Sequence, residues 1–192
     1  MSRSARSKGT LGAHLPLNPD VFVATPIPHE PLGPCSRLTP FVVSEIMYKP
    51  APRADGNNVE FVELYNSNPY FEDLSGFQIT GGAISYTFPA GTVLGGGAFL
   101  VLAASPASIQ NVYGITNVVG PYSGTLKKSG TIQLVDAQGG VVLTIPYSNL
   151  NPWPVAAGGT GHSLVLANPT YGEGNPRAWD ISILCSSVNL RH

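Results

Sequence analysis

Apolar and polar positions alternate in short runs along this chain, and the most informative run is Glu60-Phe61-Val62-Glu63-Leu64-Tyr65-Asn66. It is rich in β-favouring side chains, carries apolar residues on both faces and closes on an Asn, which is how a central strand reads. Residues 41–48 predict the strand before it, stopped by Lys49-Pro50-Ala51-Pro52, and Asp55-Gly56-Asn57-Asn58 reads as a turn. Residues 76–80 and 84–88 predict a hairpin around Gly81-Gly82, and 132–136 with 141–147 a second one across Ala137-Gln138-Gly139-Gly140. The continuous apolar run 98–103 predicts a strand buried on both faces, and 163–167 predicts the last strand. One short helix is expected, with Ser105 as N-cap, Pro106 in the first turn, Ile109, Val112 and Tyr113 on one face, and Gly114 as its stop. About eight or nine strands and one helix predict an all-β, two-sheet sandwich.

Composition strengthens that reading. Gly and Pro make up 22 and 18 of the 192 residues, while only 11% are charged, which suits short strands and tight turns better than long amphipathic helices. Residues 1–40 hold seven prolines without a period and predict an extended linker; 41–182 is the expected sandwich and 183–192 a C-terminal tail.

Charge divides along the same boundaries. Arg3, Arg6, Lys8 and Arg37 outweigh Asp20 and Glu30 ahead of residue 41, whereas residues 41–182 carry five basic and nine acidic side chains. An acidic folded part disfavours nucleic acid as a partner. No run approaches the roughly 18 apolar residues of a membrane-spanning helix. Leu11-Gly12-Ala13-His14-Leu15-Pro16 is too broken for a secretory h-region, so either the chain is intracellular or it is a piece of a longer exported protein. Cys35 and Cys185, one in each tail, are either a single closing disulfide or two free thiols.

Several ordered blocks resemble the lamin tail domain family in its bacterial form. They are Ser44-Glu45-Ile46-Met47-Tyr48-Lys49-Pro50, residues 60–66, Asp73-Leu74-Ser75-Gly76-Phe77, Tyr86-Thr87-Phe88-Pro89-Ala90-Gly91-Thr92, Trp153-Pro154, Gly161-His162-Ser163-Leu164 and Asn175-Pro176-Arg177-Ala178-Trp179. The resemblance implies an immunoglobulin-like β-sandwich without catalytic residues, used as an accessory module in large secreted or surface proteins. Its expected partner is another protein or a cell-surface polymer. The departures, Phe77 in place of the usual Trp, Thr131 after Gly130 and Leu143 after the valines, leave the core pattern intact.

Candidate chemistry is sparse. Glu60 and Glu63 lie at an odd separation, which puts them on opposite faces of a regular strand, although Glu45 on the neighbouring strand could approach one of them. Glu45, Asp55, Glu60 and Asp73 are the candidate metal ligands, with Asn57 and Asn58 as further oxygen donors of the type Ca²⁺ prefers; no other cofactor is expected. His162 beside Ser163 lacks a nucleophile elbow, and the glycine clusters at 81–82, 95–97 and 158–159 lack the lysine of a phosphate loop. The aromatics Tyr48, Tyr70, Phe71, Tyr122, Tyr147 and Trp153 fall at strand ends or in loops, where several could gather into a binding patch.

Overall fold

A computed structural model describes residues 39–182. The segment expected ahead of Thr39, the tail expected from residue 183, and both Cys35 and Cys185 lie outside the described residues.

In chain order the strands are β1 (Phe41–Met47), β2 (Phe61–Asn66), β3 (Glu72–Asp73), β4 (Gln78–Gly81), β5 (Ile84–Thr87), β6 (Val93–Leu94) and β7 (Phe99–Ala103). Helix α1 (Pro106–Tyr113) follows, then β8 (Val118–Val119), β9 (Ser123–Gly124), β10 (Gly130–Val135), β11 (Val141–Tyr147), β12 (Leu164–Leu166) and β13 (Trp179–Ile181). One sheet has the order β13-β12-β1-β2-β7-β8 and the other β11-β10-β4-β5-β9; β3 and β6 form a two-stranded third sheet. Every pairing is antiparallel except β7 with β8. This is the expected all-β, immunoglobulin-like architecture. The third sheet and the short strands β8, β9 and β13 are additions to it, all built from segments too short to show a period.

The two-faced pattern of β2 is explained by its neighbours. Val62 and Leu64 point inward with Leu100 and Leu102 of β7, meeting Ile79, Ile132, Leu134 and Ile145 of the facing sheet in the main core. Phe61 points outward into a smaller cluster with Met47, Val59, Val101, Ala103 and Ile109, which lies beneath α1. The helix forms as its caps predict: the Ser105 hydroxyl accepts from the Ser108 N–H, and Gly114, at φ 73°, donates to the Gln110 carbonyl.

β1 carries a bulge against β2. Val43 faces Leu64 and Glu45 faces Glu63, leaving Ser44 as the extra residue. The bulge turns Glu45 away from the face that Val43 occupies and puts Ile46 opposite Val62 in the core.

Leu102 is fully buried and central to this packing. Leu102→Ala should cost about 2–5 kcal/mol, read as a lower urea midpoint with an unchanged slope.

Candidate functional site

The four candidate metal ligands do not converge. Glu60, buried at the start of β2, accepts from the Tyr122 hydroxyl at 2.6 Å and the Leu126 N–H at 2.7 Å, a tether between the two sheets. Burial pushes its carboxyl up from the usual value, and those two hydrogen bonds oppose the shift. Glu45 faces Glu63 across β1 and β2 as the sequence allowed, and both are buried. The Ser163 hydroxyl donates to Glu45, and the Ser44 hydroxyl donates to Glu63 at 2.6 Å. Asp55, exposed, is held far below the usual carboxylate range first by the side-chain hydrogen bonds from Arg53. Asp73 is lowered by its hydrogen bonds from Ser75. Among the described residues, no three His, Cys, Asp or Glu side chains stand close enough to hold a metal.

His162 and Ser163 turn to different partners, with Nδ1–H of His162 donating to the Ser182 carbonyl at 2.5 Å and Ser163 bonded to Glu45. That arrangement does not pair the Ser163 hydroxyl with the His162 imidazole.

The six aromatics also divide. Tyr48, Tyr122 and Tyr147 are buried, contrary to the expectation of an aromatic patch containing them. Tyr48 and Tyr147 stack with ring centroids 5.4 Å apart, the Tyr147 hydroxyl donates to the Lys127 carbonyl at 2.9 Å, and burial pushes the Tyr48 hydroxyl up to about 12. They plug the end of the sandwich, where rings fill space that strand side chains do not reach. Trp153 is half-buried, 6.3 Å from Trp179. Only Tyr70 and Phe71 remain strongly exposed, at 61% and 67%.

Those two rings sit on a rigid loop. Asn66, the last residue of β2, is fully buried, and its side-chain amide donates to the carbonyls of Tyr70 at 2.9 Å, Leu94 at 3.1 Å and Gly95 at 3.1 Å. Its side-chain oxygen accepts from the Asn68 N–H at 3.0 Å. Asn68 in turn donates to Glu72 at 2.6 Å, and Ser67 bonds the Pro40 carbonyl through both its N–H and its hydroxyl. Glu72 and Asp73 then pair with Leu94 and Val93, leaving Val93 exposed beside the rings. Gly96 permits the close approach: a Cβ there would lie 2.3 Å from the Pro69 carbonyl carbon. Sequence reasoning picked out the rings but not Asn66, Gly96 or Val93. The only signal in the chain was an Asn ending a strand with a second Asn two residues on.

A model of the lamin tail domain family matches residues 38–149. The chain belongs to the lamin tail domain family. No curated protein matches it. The matched part of this lamin tail domain runs from β1 through β11 and includes the Asn66 loop, while β12 and β13 lie beyond it. Membership marks the domain as a structural and interaction fold of immunoglobulin type.

One buried acid beyond the matched residues stands apart from these networks. Glu173 is 7% exposed, its Oε1 has no hydrogen-bond partner, and its main-chain carbonyl accepts from the Trp179 indole at 2.8 Å. Burial raises its carboxyl to about 7, partly offset by a hydrogen bond from the Val43 N–H. Because the folded value lies above the unfolded one, this stabilisation is full below about pH 4.5 and is lost as pH rises through about 7. Glu173→Gln should therefore raise stability at pH 8 by about 3 kcal/mol relative to the parent and flatten the decline between pH 5 and 8, measured by urea titration across pH. Gly96→Ala should displace the Tyr70 loop, read as faster amide exchange at residues 67–72 with the main sheets still protected.

Proposed function

We propose that this lamin tail domain is a non-enzymatic interaction module that tethers or spaces partners and grips them through Tyr70 and Phe71. The observation that carries this reading is the buried Asn66 amide, which fixes the loop with both rings turned to solvent. Large rings held still before a partner arrives lose little freedom on binding, and rigid aromatics dominate the energetics of many interfaces. The buried carboxylates Glu45, Glu60 and Glu63 are each engaged by hydroxyl or amide donors, which supports a structural role for all three.

Cross-linking of the full chain in its source cells tests the reading. The parent should recover a partner that the double variant Tyr70→Ser, Phe71→Ser loses by tenfold or more, with no change in melting temperature, since both side chains are exposed. Recovery undiminished in the variant would remove the loop from the reading. Purified protein turning over a substrate would remove the non-enzymatic part. A second reading uses the same rings: as an accessory domain, the module would stack Tyr70 on a carbohydrate. A glycan that raises the melting temperature of the parent but not of the variant would favour it. The further expectation of a place in a larger surface or secreted protein is checked by immunoblot of cell fractions.

A further inference from the structure

The Tyr70–Phe71 loop has a counterpart at the other end of the molecule. Pro40 and Ser67 are bonded at the loop end, ahead of β1 and past β2. Where β1 finishes and β2 begins, a cleft of about 480 Å³ opens. Met47 and Val59, both buried, lie at its base; Pro50 and Pro52 flank it, and the exposed pair Arg53 and Asp55 stands at its mouth. β1 is seven residues long, which separates loop and cleft by about 20 Å along shared strands. A knob of two aromatic rings thus stands at one end and an apolar-based hollow at the other, in the volume range of pockets that accept ring-sized groups.

Charge is distributed in the same sense. No Lys or Arg occurs between Arg53 and Lys127, so the loop end carries Glu72 and Asp73, joined by Asp136 on the hairpin whose Ala137 lies against Gly76. Hydrogen bonds from Ser75 lower the Asp73 carboxyl below its usual value. Lys49 follows Tyr48 at the cleft end, and Lys127, whose carbonyl accepts from Tyr147, lies there with Lys128 and Arg53. Four cations there outnumber Asp55 and Glu60. Arg177, the remaining cation among the described residues, stands on the turn before β13, which runs parallel to β1 and so begins at the loop end, where Glu72, Asp73 and Asp136 still outnumber it.

Resting on the reading of Tyr70 and Phe71 as a grip, we propose that their occupant is a second copy of this chain, which receives the Tyr70–Phe71 loop in its Met47–Val59 cleft. Glu72 and Asp73 of the inserted loop then face Lys49, while Arg53 stays engaged by Asp55. The two surfaces differ and stand at opposite ends, so the contact is head to tail and leaves a free knob and a free cleft on every pair. Such a contact extends into open rows rather than closing as a dimer. Two aromatic side chains bury about 150–250 Å² each, well short of a standard interface, so a single contact is weak and shows only at high concentration.

Sedimentation equilibrium of the full chain tests this. The weight-average mass should climb with concentration past twice the 20.1 kDa of one chain, without a plateau at the dimer, and added salt should shift the rise to higher concentration. Tyr70→Ser, Phe71→Ser removes the knob, and Ala54→Trp, at an exposed position lining the cleft, fills the hollow. Each variant alone should remain monomeric with an unchanged melting temperature, while a one-to-one mixture should form dimers and nothing larger. A plateau at dimer for the parent, association surviving in either variant alone, or a mixture that stays monomeric would each overturn head-to-tail docking. Parent protein monomeric throughout, together with recovery of a different protein on Tyr70 and Phe71, would overturn self-docking while leaving the interaction module standing.

Discussion

β2 is buried on both faces, and every polar side chain it carries must therefore find a partner inside the protein. Glu60, just ahead of it, reaches across to Tyr122 and Leu126, which flank β9 of the facing sheet. Glu63 takes the hydroxyl of Ser44, the residue that the bulge in β1 adds. Asn66 donates its amide to three carbonyls of the loops beyond. Glu60 just ahead of β2, and Glu63 and Asn66 on it, thus tie down the segment flanking β9, the strand beside and the loop at the end. The constraint runs from burial to architecture: none of these residues could be stranded without a cost of about 1–3 kcal/mol, so each partner element is held in place by the same requirement.

The antiparallel order of β1 and β2 also explains why the molecule has two unlike ends. Both strands are bounded at one end by the segment Asn66 to Glu72 and at the other by the proline-bounded turn 49–58. The first segment is drawn outward by Gly96, which lets backbone pass close to Pro69, and ends as a protrusion. The second contains Pro50 and Pro52, which cannot extend β1, and leaves a hollow over Met47 and Val59. With Glu72, Asp73 and Asp136 outnumbering Arg177 there, the protrusion is also the acidic end. Shape and charge are polarised along one axis because they follow from where the chain turns.

Most of the fold was legible because β7 is a continuous apolar run, because β2, β10 and β11 are rich in β-favouring side chains between turn signals, and because the caps of α1 are spelled out by Ser105, Pro106 and Gly114. β13 was missed because Trp179-Asp180-Ile181 is too short for a period and only its pairing with Leu164 to Leu166 makes it a strand. The bulge at Ser44 was equally invisible, since alternation alone puts Glu45 on the face of Val43. Among the aromatics, pattern could not separate a plug from a patch. What buries Tyr122 is a carboxylate 62 positions away, and what holds Tyr147 is a main-chain carbonyl 20 positions away. Tyr70 and Phe71 were found because they fall in a loop between predicted strands, but their rigidity depends on Asn66, whose three acceptors only the fold brings together.

That rigidity separates Tyr70 and Phe71 from ordinary exposed apolar residues. Single exposed rings are common on protein surfaces and need no explanation. A sandwich strand can end in any of several tight turns, and a polar side chain pointing to water would close β2 without cost. Here a fully buried amide is used instead, satisfied by three carbonyls and one N–H of the loops it joins. It stands on the same face of β2 as Val62 and Leu64, at the margin of the main core, and contributes hydrogen bonds there rather than apolar surface. Its effect falls on the six residues that follow, and among them the side chains left most exposed are the two rings. A network that orders a loop while leaving its largest apolar groups in water makes physical sense when those groups are to be covered by something outside the chain's own core.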